Sequence, residues 1–348
     1  MLAEVVDAAI GADTHRDTHA LEMTAPTGVS IATISISNDE RGFADALAWI
    51  VEHAPGPRVV VALEGTRSYG IGLCRALQAA GLTVVEIERP RRSERRRGKS
   101  DPIDAHLAAV HALRLHADRL PTPRADGDRE ALRILLGARR ELTTTKTRTV
   151  NRLRALLLTG NDDDRAWARG ALSLNRLAAI ARRRGRPHET REQAIRRAEI
   201  RRLALSIRDD DRQLADNKRQ LADLLTHMAP QLLAKHGVGP VSAAQAIVSW
   251  SHPGRCRNDA AYAALAGASP IPASSGRVVR HRLNRGGDRQ LNRALYDILL
   301  TRWRACPRTR EYIARRRAEG KSDTEIRRCL KRYIARELYR CLNTAMAT

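Results

Sequence analysis

Residues 59–63, with the sequence VVVAL, form an unbroken apolar run between Arg58 and Glu64. Such a run predicts a strand that is buried on both faces, and a strand of this kind needs helices on both sides of its sheet. The surrounding sequence supplies these helices. Its patterns predict strands at 5–13, 20–25 and 29–36, a helix at 39–54, the strand at 58–64, a helix at 69–81, a strand at 82–88 and a helix at 102–117.

The order of these elements indicates a fold class. Strand–strand–strand–helix–strand–helix–strand–helix is the order of the ribonuclease H-like fold, and it resembles the nuclease core of the Holliday-junction resolvases. A chain of 348 residues is long enough for two or three domains. We predict that the first of them is this α/β domain, at residues 1–120.

The rest of the chain is predicted to be mainly helical. Residues 121–230 are very basic, and leucines recur there at near-helical spacing on both sides of a break at 159–161. We predict a long helix before the break and a second helix from about 200 to 228, forming an antiparallel pair or a coiled coil. Residues 231–348 are predicted to be a mainly α C-terminal domain, in which the segment around Gly237 and Gly239 resembles a helix-hairpin-helix.

The net charge restricts the class of partner. The chain has 62 Lys and Arg against 39 Asp and Glu, which gives a formal net charge of +23. This charge implies a polyanionic partner. Nucleic acid fits better than an anionic membrane, because no amphipathic stretch carries bulky aromatic residues on one face. The aromatic content of 3% argues against a single-strand binder that stacks bases on exposed rings.

Neither the cysteines nor the histidines form a metal-binding pattern. The five cysteines are scattered without a CxxC pair, which is typical of reduced thiols. His15 is predicted to lie in a loop, and His106 and His111 on a helix surface. The N-terminus does not resemble a signal peptide, and no apolar run approaches the roughly 20 residues of a membrane span. We therefore predict a cytoplasmic protein, associated with the nucleoid when active, and no membrane partner.

Four carboxylates are the candidate catalytic residues. Asp13 and Glu64 end two strands that are neighbours in a ribonuclease H-like sheet, so their side chains are expected to converge. Asp101 and Asp104 are three apart at a helix start, and this spacing places both on one face. Such oxygen ligands suit Mg²⁺, or Mn²⁺, bridging a phosphate. Taken singly, Asp101 is an ordinary helix cap and Glu64 a turn residue, but their joint order favours the metal site.

Several segments are predicted to contact nucleic acid. Residues 89–100 contain seven Lys or Arg and one Glu; such runs are usually solvated loops, but this one directly precedes Asp101. The glycine turn near residue 237 is expected to offer backbone N–H groups to a phosphate. The predicted nucleic-acid-binding residues are Arg91, Arg92, Arg95, Arg96, Arg97, Lys99, Gly237, Gly239, Arg277, Arg280, Arg282 and Arg285.

Ser274 and Ser275, which precede Gly276, are the second chemical candidate. A nucleophilic serine needs activation and electrostatic support for the phosphoryl group. The arginines between residues 277 and 285 are near enough in sequence to give that support. From spacing alone, an ordinary loop is the slightly better interpretation.

Six segments spread along the chain match one known family. They are IGADTHRD from Ile10, LEGT from Leu63, KSDPIDAHLAA from Lys99, LLAKHGVGPVSAA from Leu232, ALAGASPIPASSGR from Ala264 and NRGGDRQLNRAL from Asn284. Through them, nearly the whole chain resembles the transposases of the IS110/IS1111 group of bacterial insertion sequences. The resemblance implies a RuvC-like nuclease domain whose DEDD tetrad consists of Asp13, Glu64, Asp101 and Asp104.

The resemblance also implies a serine nucleophile at Ser275, although the doubled serine leaves Ser274 open. Relatives often carry lysine where this chain has Arg285, and an ammonium is not equivalent to a guanidinium. The implied activity is RNA-guided DNA recombination through a transient phosphoserine link. The implied partners are donor and target DNA, a structured guide RNA, and a second copy of the chain in a dimer or tetramer, with residues 121–230 as the region of dimerisation.

Other functions are open at this point. A DEDD resolvase-like endonuclease would use the same carboxylates without a covalent intermediate. An actin-like or sugar-kinase-type phosphotransferase shares the sheet topology, but those proteins repeat the fold and no second α/β half is evident in the sequence. A catalytically dead binder is disfavoured by the intact acids and serine.

Overall fold

The computed structural model describes residues 1–87, 101–123, 126–185, 187–274, 281–282, 284 and 286–345, with the backbone alone at 101, 102, 119, 281 and 345. Its contacts divide the chain into two compact units. Unit 1 comprises Met1–Glu130, Ile247–Arg289 and Arg328–Thr348, and unit 2 comprises Ala131–Ala246 and Gln290–Arg327. These units are made of segments that are not consecutive in sequence. The three consecutive domains predicted from the sequence, with boundaries at residues 120 and 230, stay a prediction.

A five-stranded mixed sheet begins unit 1. Its strands are β1 (Ala8–Thr14), β2 (Thr18–Thr24), β3 (Ser30–Ser37), β4 (Val59–Glu64) and β5 (Thr83–Ile87), in the order β3-β2-β1-β4-β5. β1, β4 and β5 are parallel, whereas β2 is antiparallel to both of its neighbours. The helices are α1 (Glu40–His53), α2 (Ile71–Ala79) and α3 (Asp101–Leu113), with 3-10 turns at Leu2–Glu4 and Ala117–Arg119. The predicted strands and helices are thus present in the predicted order.

The apolar run of β4 is buried on both faces, as predicted. Val61 and Leu63 pack in a core with residues of α1 and α2. Val60 and Ala62 pack in a second core, against α3 and the neighbouring strands. Because successive side chains of a strand alternate between faces, one uninterrupted apolar segment serves both cores.

The elements that follow are mostly helices. They are α4 (Gly127–Leu158), α5 (Asp162–Ala168), α6 (Leu174–Ala181), α7 (Arg191–Met228), α8 (Pro230–Leu233), α9 (Pro240–Trp250), α10 (Asp259–Leu265), α11 (Arg289–Ala305), α12 (Pro307–Ala318) and α13 (Asp323–Ala345), with the short strands β6 (Ile271–Pro272) and β7 (His281–Arg282) between α10 and α11. No helix in the described ranges has the length and apolar character needed to cross a bilayer.

In unit 2, α4 and α7 form the antiparallel pair that the leucine spacing predicted. Near one end, the Asn217 side chain donates to the backbone oxygen of Leu135 at 2.9 Å, and near the other, Arg196 donates to that of Leu156 at 3.1 Å. The start of α7 differs from the prediction: the helix begins at Arg191 instead of near residue 200. A capping box between Thr190 and Gln193 starts it there, because each side chain bonds the other residue's backbone N–H.

Hydrogen bonds also join the later segments of unit 1. The indole N–H of Trp250 donates to Asn343 Oδ1 at 3.1 Å, and the Tyr339 hydroxyl donates to the backbone oxygen of Cys256 at 2.7 Å. Tyr262 is fully buried beside Tyr339, with the two ring centroids 5.8 Å apart. The segments of unit 1 on either side of the α11–α12 region are therefore fastened to each other.

Candidate active site

Two of the predicted carboxylates are neighbours on adjacent strands. The parallel register of β1 and β4 runs to Ala12 opposite Leu63, and the next residues are Asp13 and Glu64. Both are still within the sheet, since Asp13 pairs with Ala20 and Glu64 with Ile87. Strand alternation places them on the same face as Ala9, Val60 and Ala62, which is the face that α3 covers. The two strands are neighbours, as expected, and Asp13 and Glu64 lie side by side at the same end of the sheet.

Gly11 explains how closely α3 approaches this face. A methyl group at Gly11 would lie 1.9 Å from the backbone oxygen of Ala105 and 2.5 Å from the nitrogen of Ala109. The helix backbone therefore rests directly on β1, where only glycine leaves room. The Leu2 N–H donates to the Leu115 oxygen at 2.8 Å, so α3 runs antiparallel to β1. Its first turn thus lies toward the end of β1 that carries Asp13.

Asp104 lies in the first turn of α3, which is directed toward this edge of the sheet. It immediately precedes Ala105 and is 4% exposed, while Asp13 is 9% exposed. The helix begins at Asp101, whose side chain lies outside the described residues. We call Asp13, Glu64 and Asp104 the acidic edge.

Two features near the end of β4 were not evident from the sequence. The Thr14 hydroxyl donates to the backbone oxygen of Glu64 at 2.8 Å and so ties the two strand ends together. Thr66 follows Gly65 (φ 75°), and its side chain is completely buried, with no hydrogen bond between its hydroxyl and any described residue. The LEGT motif signalled Glu64, but nothing in it indicated that Thr66 would be buried.

A carboxylate–histidine pair flanks the acidic edge. Glu22 lies opposite Gly11 on β2 and is 6% exposed. Its Oε1 is 2.8 Å from Nδ1 of His106 on α3. The prediction that His111 lies on the helix surface is confirmed, whereas the half-buried His106 bonds back to the sheet. His15, the predicted loop histidine, lies with Nδ1 4.0 Å from Asp13 Oδ2.

The side chains of the acidic edge are carboxylates, which bind metal ions through oxygen. Within the described ranges, no three Asp, Glu, His or Cys side chains are arranged closely enough to hold a metal ion. The side chain of Asp101, the fourth predicted ligand, lies outside these ranges. Carboxylate oxygens are the ligands that Mg²⁺ and Mn²⁺ prefer, so the residue types fit such an ion.

The short strands β6 and β7 pair as a β6–β7 hairpin, and in sequence the two candidate serines lie between them. Ile271 pairs with Arg282 and Pro272 with His281, and the exposed Ser274 follows β6 by two residues. Ser275, Arg277, Arg280 and Arg285 lie outside the described residues, as do Arg91, Arg92, Arg95, Arg96, Arg97 and Lys99. Of the arginines predicted around the serines, Arg282 is described, and it is exposed. The hairpin and the acidic edge belong to the same compact unit.

The base of this hairpin is anchored. The Asp288 N–H donates to the Leu265 oxygen at 2.7 Å, and the Ser249 hydroxyl donates to Asp288 Oδ2 at 2.5 Å. Gly287 has φ 95°, and a methyl group there would lie 2.4 Å from the Leu265 oxygen. The chain on either side of the serines is therefore held together by backbone contacts.

The glycine turn of the predicted helix-hairpin-helix has a different hydrogen-bond pattern from the one expected. Gly237 has φ 79°, and α9 starts at Pro240. The Gly239 N–H donates to the Ser242 hydroxyl at 3.0 Å, so this group is used within the chain. The helix before the turn, α8, has four residues.

The chain is similar to transposases over most of its length. Residues 10–160, which include all four predicted carboxylates, match a model of the IS110 DEDD type described as a transposase. Residues 229–314, which include both serines, match a model described as the transposase IS116/IS110/IS902 family.

Two proteins of insertion elements are similar in sequence. An uncharacterized 42 kDa protein of IS900 from Mycobacterium paratuberculosis is 26% identical, over 83% of this chain and 84% of that protein. An uncharacterized 43.6 kDa protein of IS110 from Streptomyces coelicolor is 25% identical, over 92% of this chain and 90% of that protein. Both likenesses extend beyond the carboxylate region.

Proposed function

The chain belongs to the IS110 family of transposases, which are DNA recombination enzymes, and we propose that it cuts and rejoins DNA with the acidic edge and a serine. The observation that carries the proposal is the register of β1 and β4. It brings Asp13 beside Glu64 on the face where α3 presents Asp104. Asp13 and Glu64 are thus adjacent at one edge of the sheet, and the proposal adds Asp104 of the first turn of α3 to them, in a chain of net charge +23.

We infer that this edge is the metal site of a ribonuclease H-like nuclease domain. The strand order β3-β2-β1-β4-β5, with β2 antiparallel to its neighbours, supports that fold. Asp13, Glu64, Asp101 and Asp104 would hold Mg²⁺, or Mn²⁺ in its place. When bound, the metal supplies positive charge to a phosphodiester and lowers the free energy of its transition state by several kcal/mol.

We propose Ser275 as the nucleophile, with Ser274 as the alternative. Its hydroxyl oxygen would attack a DNA phosphodiester, so that a serine–phosphate bond forms and one deoxyribose oxygen leaves and takes up a proton. A deoxyribose hydroxyl of another strand would then attack the phosphoserine, and the serine would leave with that proton. Arginines near the hairpin, including the exposed Arg282, would stabilise the charge on the phosphoryl oxygens.

The net charge supports the proposal of several nucleic-acid partners. A protein that holds a structured guide RNA together with donor and target DNA must neutralise many phosphates, and +23 is suited to that task. We propose this guide RNA as a partner and a dimer or tetramer as the working form, with contacts between copies through the α4–α7 helical region.

The acidic edge can be tested by removing Asp104. We expect Asp104→Ala, and likewise Asp101→Ala, to reduce strand cleavage and exchange in Mg²⁺ by about 100-fold or more. Binding to nucleic acid should be retained, because a carboxylate without a bound metal ion repels phosphate and its removal takes away no attractive contact. Gel assays of cleavage and filter binding measure the two effects separately.

The matched control is Asp45→Ala, which removes an exposed carboxylate from α1. It should leave both cleavage and binding unchanged. Full cleavage activity in Asp104→Ala would show that the assignment of the acidic edge is wrong.

A further inference from the structure

Glu22 is a buried carboxylate next to the acidic edge. It lies on β2 opposite Gly11, and strand pairing puts it on the α3 face of the sheet, one strand away from Asp13. Burying a carboxylate is unfavourable unless a partner compensates for the lost water. His106 of α3 is that partner, with Nδ1 2.8 Å from Glu22 Oε1. Since an ionised carboxylate only accepts hydrogen bonds, the Nδ1–H group donates.

This bond joins residues 84 positions apart and connects α3 to the sheet. Asp104 lies two residues before His106, which is about 3 Å along the helix axis. At about 100° per residue, the two side chains point to different sides of the helix. The Glu22–His106 pair therefore does not need to contact Asp104 to influence its position. By bonding α3 to the sheet, the pair restrains the rotation and the axial position of the helix that carries Asp104.

The rest of the α3–sheet contact is poorly suited to that task. Most of the buried helix residues are small, namely Ala105, Ala108, Ala109 and Ala112, and the larger Leu113 packs at the opposite end of the helix from Asp104. Alanine side chains allow the close approach at Gly11. They make few contacts and no directional bonds, so they resist sliding and rotation of α3 against the sheet weakly. A backbone hydrogen bond from Leu2 to Leu115 holds the far end of the segment. The Glu22–His106 bond is a directional contact near the end that carries Asp104.

We propose that Glu22 and His106 are positioning residues, a pair that holds α3 so that Asp104 faces Asp13 and Glu64. The inference rests on the proposed function of the acidic edge as a divalent-ion site. Groups that support metal ligands from outside the ligand shell typically change metal affinity 10- to 100-fold when they are removed. A displacement of Asp104 by about 1 Å is sufficient for such a change in metal affinity.

The test is Mn²⁺ binding to the full-length protein, measured by isothermal titration calorimetry without nucleic acid. We expect His106→Ala and Glu22→Ala to raise the dissociation constant about tenfold. His106→Asn retains an N–H donor near the position of Nδ1 and should recover much of the affinity. Glu22→Gln retains an acceptor of the same shape, so it should fold and bind with an intermediate constant. His111→Ala, on the exposed side of α3, is the matched control and should bind like the original protein.

A second measurement separates positioning from folding. Each variant is titrated well below its own thermal unfolding midpoint, so a change in stability alone leaves the dissociation constant unchanged and the Asn variant no better than the Ala variant. Mn²⁺ binding within twofold of the original in both His106→Ala and Glu22→Ala, with loss of binding in Asp104→Ala, would overturn the positioning role and keep the acidic edge. No Mn²⁺ binding by the original protein, or unchanged binding in Asp104→Ala, would overturn the metal site and this inference together.

Discussion

Gly11 is the residue on which the contact between α3 and β1 depends. A methyl group there would lie 1.9 Å from the backbone oxygen of Ala105, far inside any real contact. Neither the central strand nor the helix backbone can move aside without disturbing the core on that face. One missing side chain thus allows Asp104 to approach the strand that carries Asp13.

We predict that Gly11→Ala destabilises the protein by at least about 2 kcal/mol, because it overpacks a contact between two backbones. Denaturant unfolding followed by circular dichroism measures the change. Gly137→Ala is the matched control. Gly137 lies within α4, the nearest atom to an added methyl is 4.0 Å away, and alanine there should stabilise the helix by up to about 1 kcal/mol. A loss of less than about 0.5 kcal/mol in the free energy of unfolding of Gly11→Ala would contradict the close approach of α3 to β1.

The candidate site was predictable from the sequence where it depends on strand order. Asp13 and Glu64 each end a recognisable strand, and neighbouring parallel strands bring their ends to one edge. The Glu22–His106 pair had no comparable signal, because β2 and α3 are far apart in sequence and His106 looks like a surface residue of its helix. Pairing of this kind depends on tertiary packing, which local patterns do not encode.

Polar side chains lie along part of the α4–α7 pair. Asn217 is buried and bonds to Leu135, Arg139 donates to the Leu214 backbone, and Lys146 forms an ion pair with Asp211. Asp210 is buried, and burial raises the pKa of its carboxyl above the ordinary value of 3.8. Its Oδ2 accepts no hydrogen bond in the described structure. The charge of Asp210 therefore destabilises the helix pair at neutral pH.

We predict that Asp210→Asn stabilises the protein at pH 7 by about 1 kcal/mol. The pKa of Asp210 is higher in the folded state than in the unfolded state. Its charge therefore lowers the free energy of unfolding fully above the folded-state pKa, and this effect disappears as the pH falls from the folded-state pKa to the unfolded-state pKa. Thermal unfolding at pH 7 and near pH 4 measures the difference, which should shrink at the lower pH. Asp223→Asn, which changes an exposed carboxylate of the same helix, is the control and should not stabilise at pH 7. Equal stabilisation by Asp210→Asn at both pH values would contradict this account.

The elements were predictable to different degrees. The strands of the sheet were recognisable, and the order of strands and helices along this part of the chain was predicted in full. The start of α7 was placed about nine residues too late, because the dense arginines between 191 and 202 obscure the apolar positions Ile195 and Ile200. The capping sequence TREQ at 190–193 contained the missing signal.

The grouping of segments distant in sequence into one compact unit does not follow from local sequence patterns. Patterns along a chain suggest consecutive domains, whereas unit 1 combines the sheet with Ile247–Arg289 and Arg328–Thr348. Hydrogen bonds within this unit join residues far apart in sequence: Trp250 bonds Asn343, 93 positions away, and Arg129 bonds the backbone of Val248, 119 positions away. The result has a functional consequence, because the serine hairpin shares a unit with the acidic edge.

The net charge of +23 leads to a prediction about the molecule as a whole. Affinity for duplex DNA and for structured RNA should fall about 100-fold or more between about 50 mM and about 200 mM salt, since counterions are released on binding. Fluorescence anisotropy over a salt series measures the slope. Asp104→Ala should show the same slope as the original protein. A nearly flat dependence would contradict a binding mode dominated by phosphate contacts.

The central claim is that the acidic edge acts together with a serine. The most direct measurement is to trap the protein on labelled DNA in Mg²⁺, denature it, and look for a covalent protein–DNA adduct. We predict an adduct in the original protein and in Ser274→Ala, and none in Ser275→Ala or Asp104→Ala. Cleaved DNA with free ends and no adduct, in the original protein and in both serine variants, would contradict the claim and indicate a nuclease that uses the carboxylates alone.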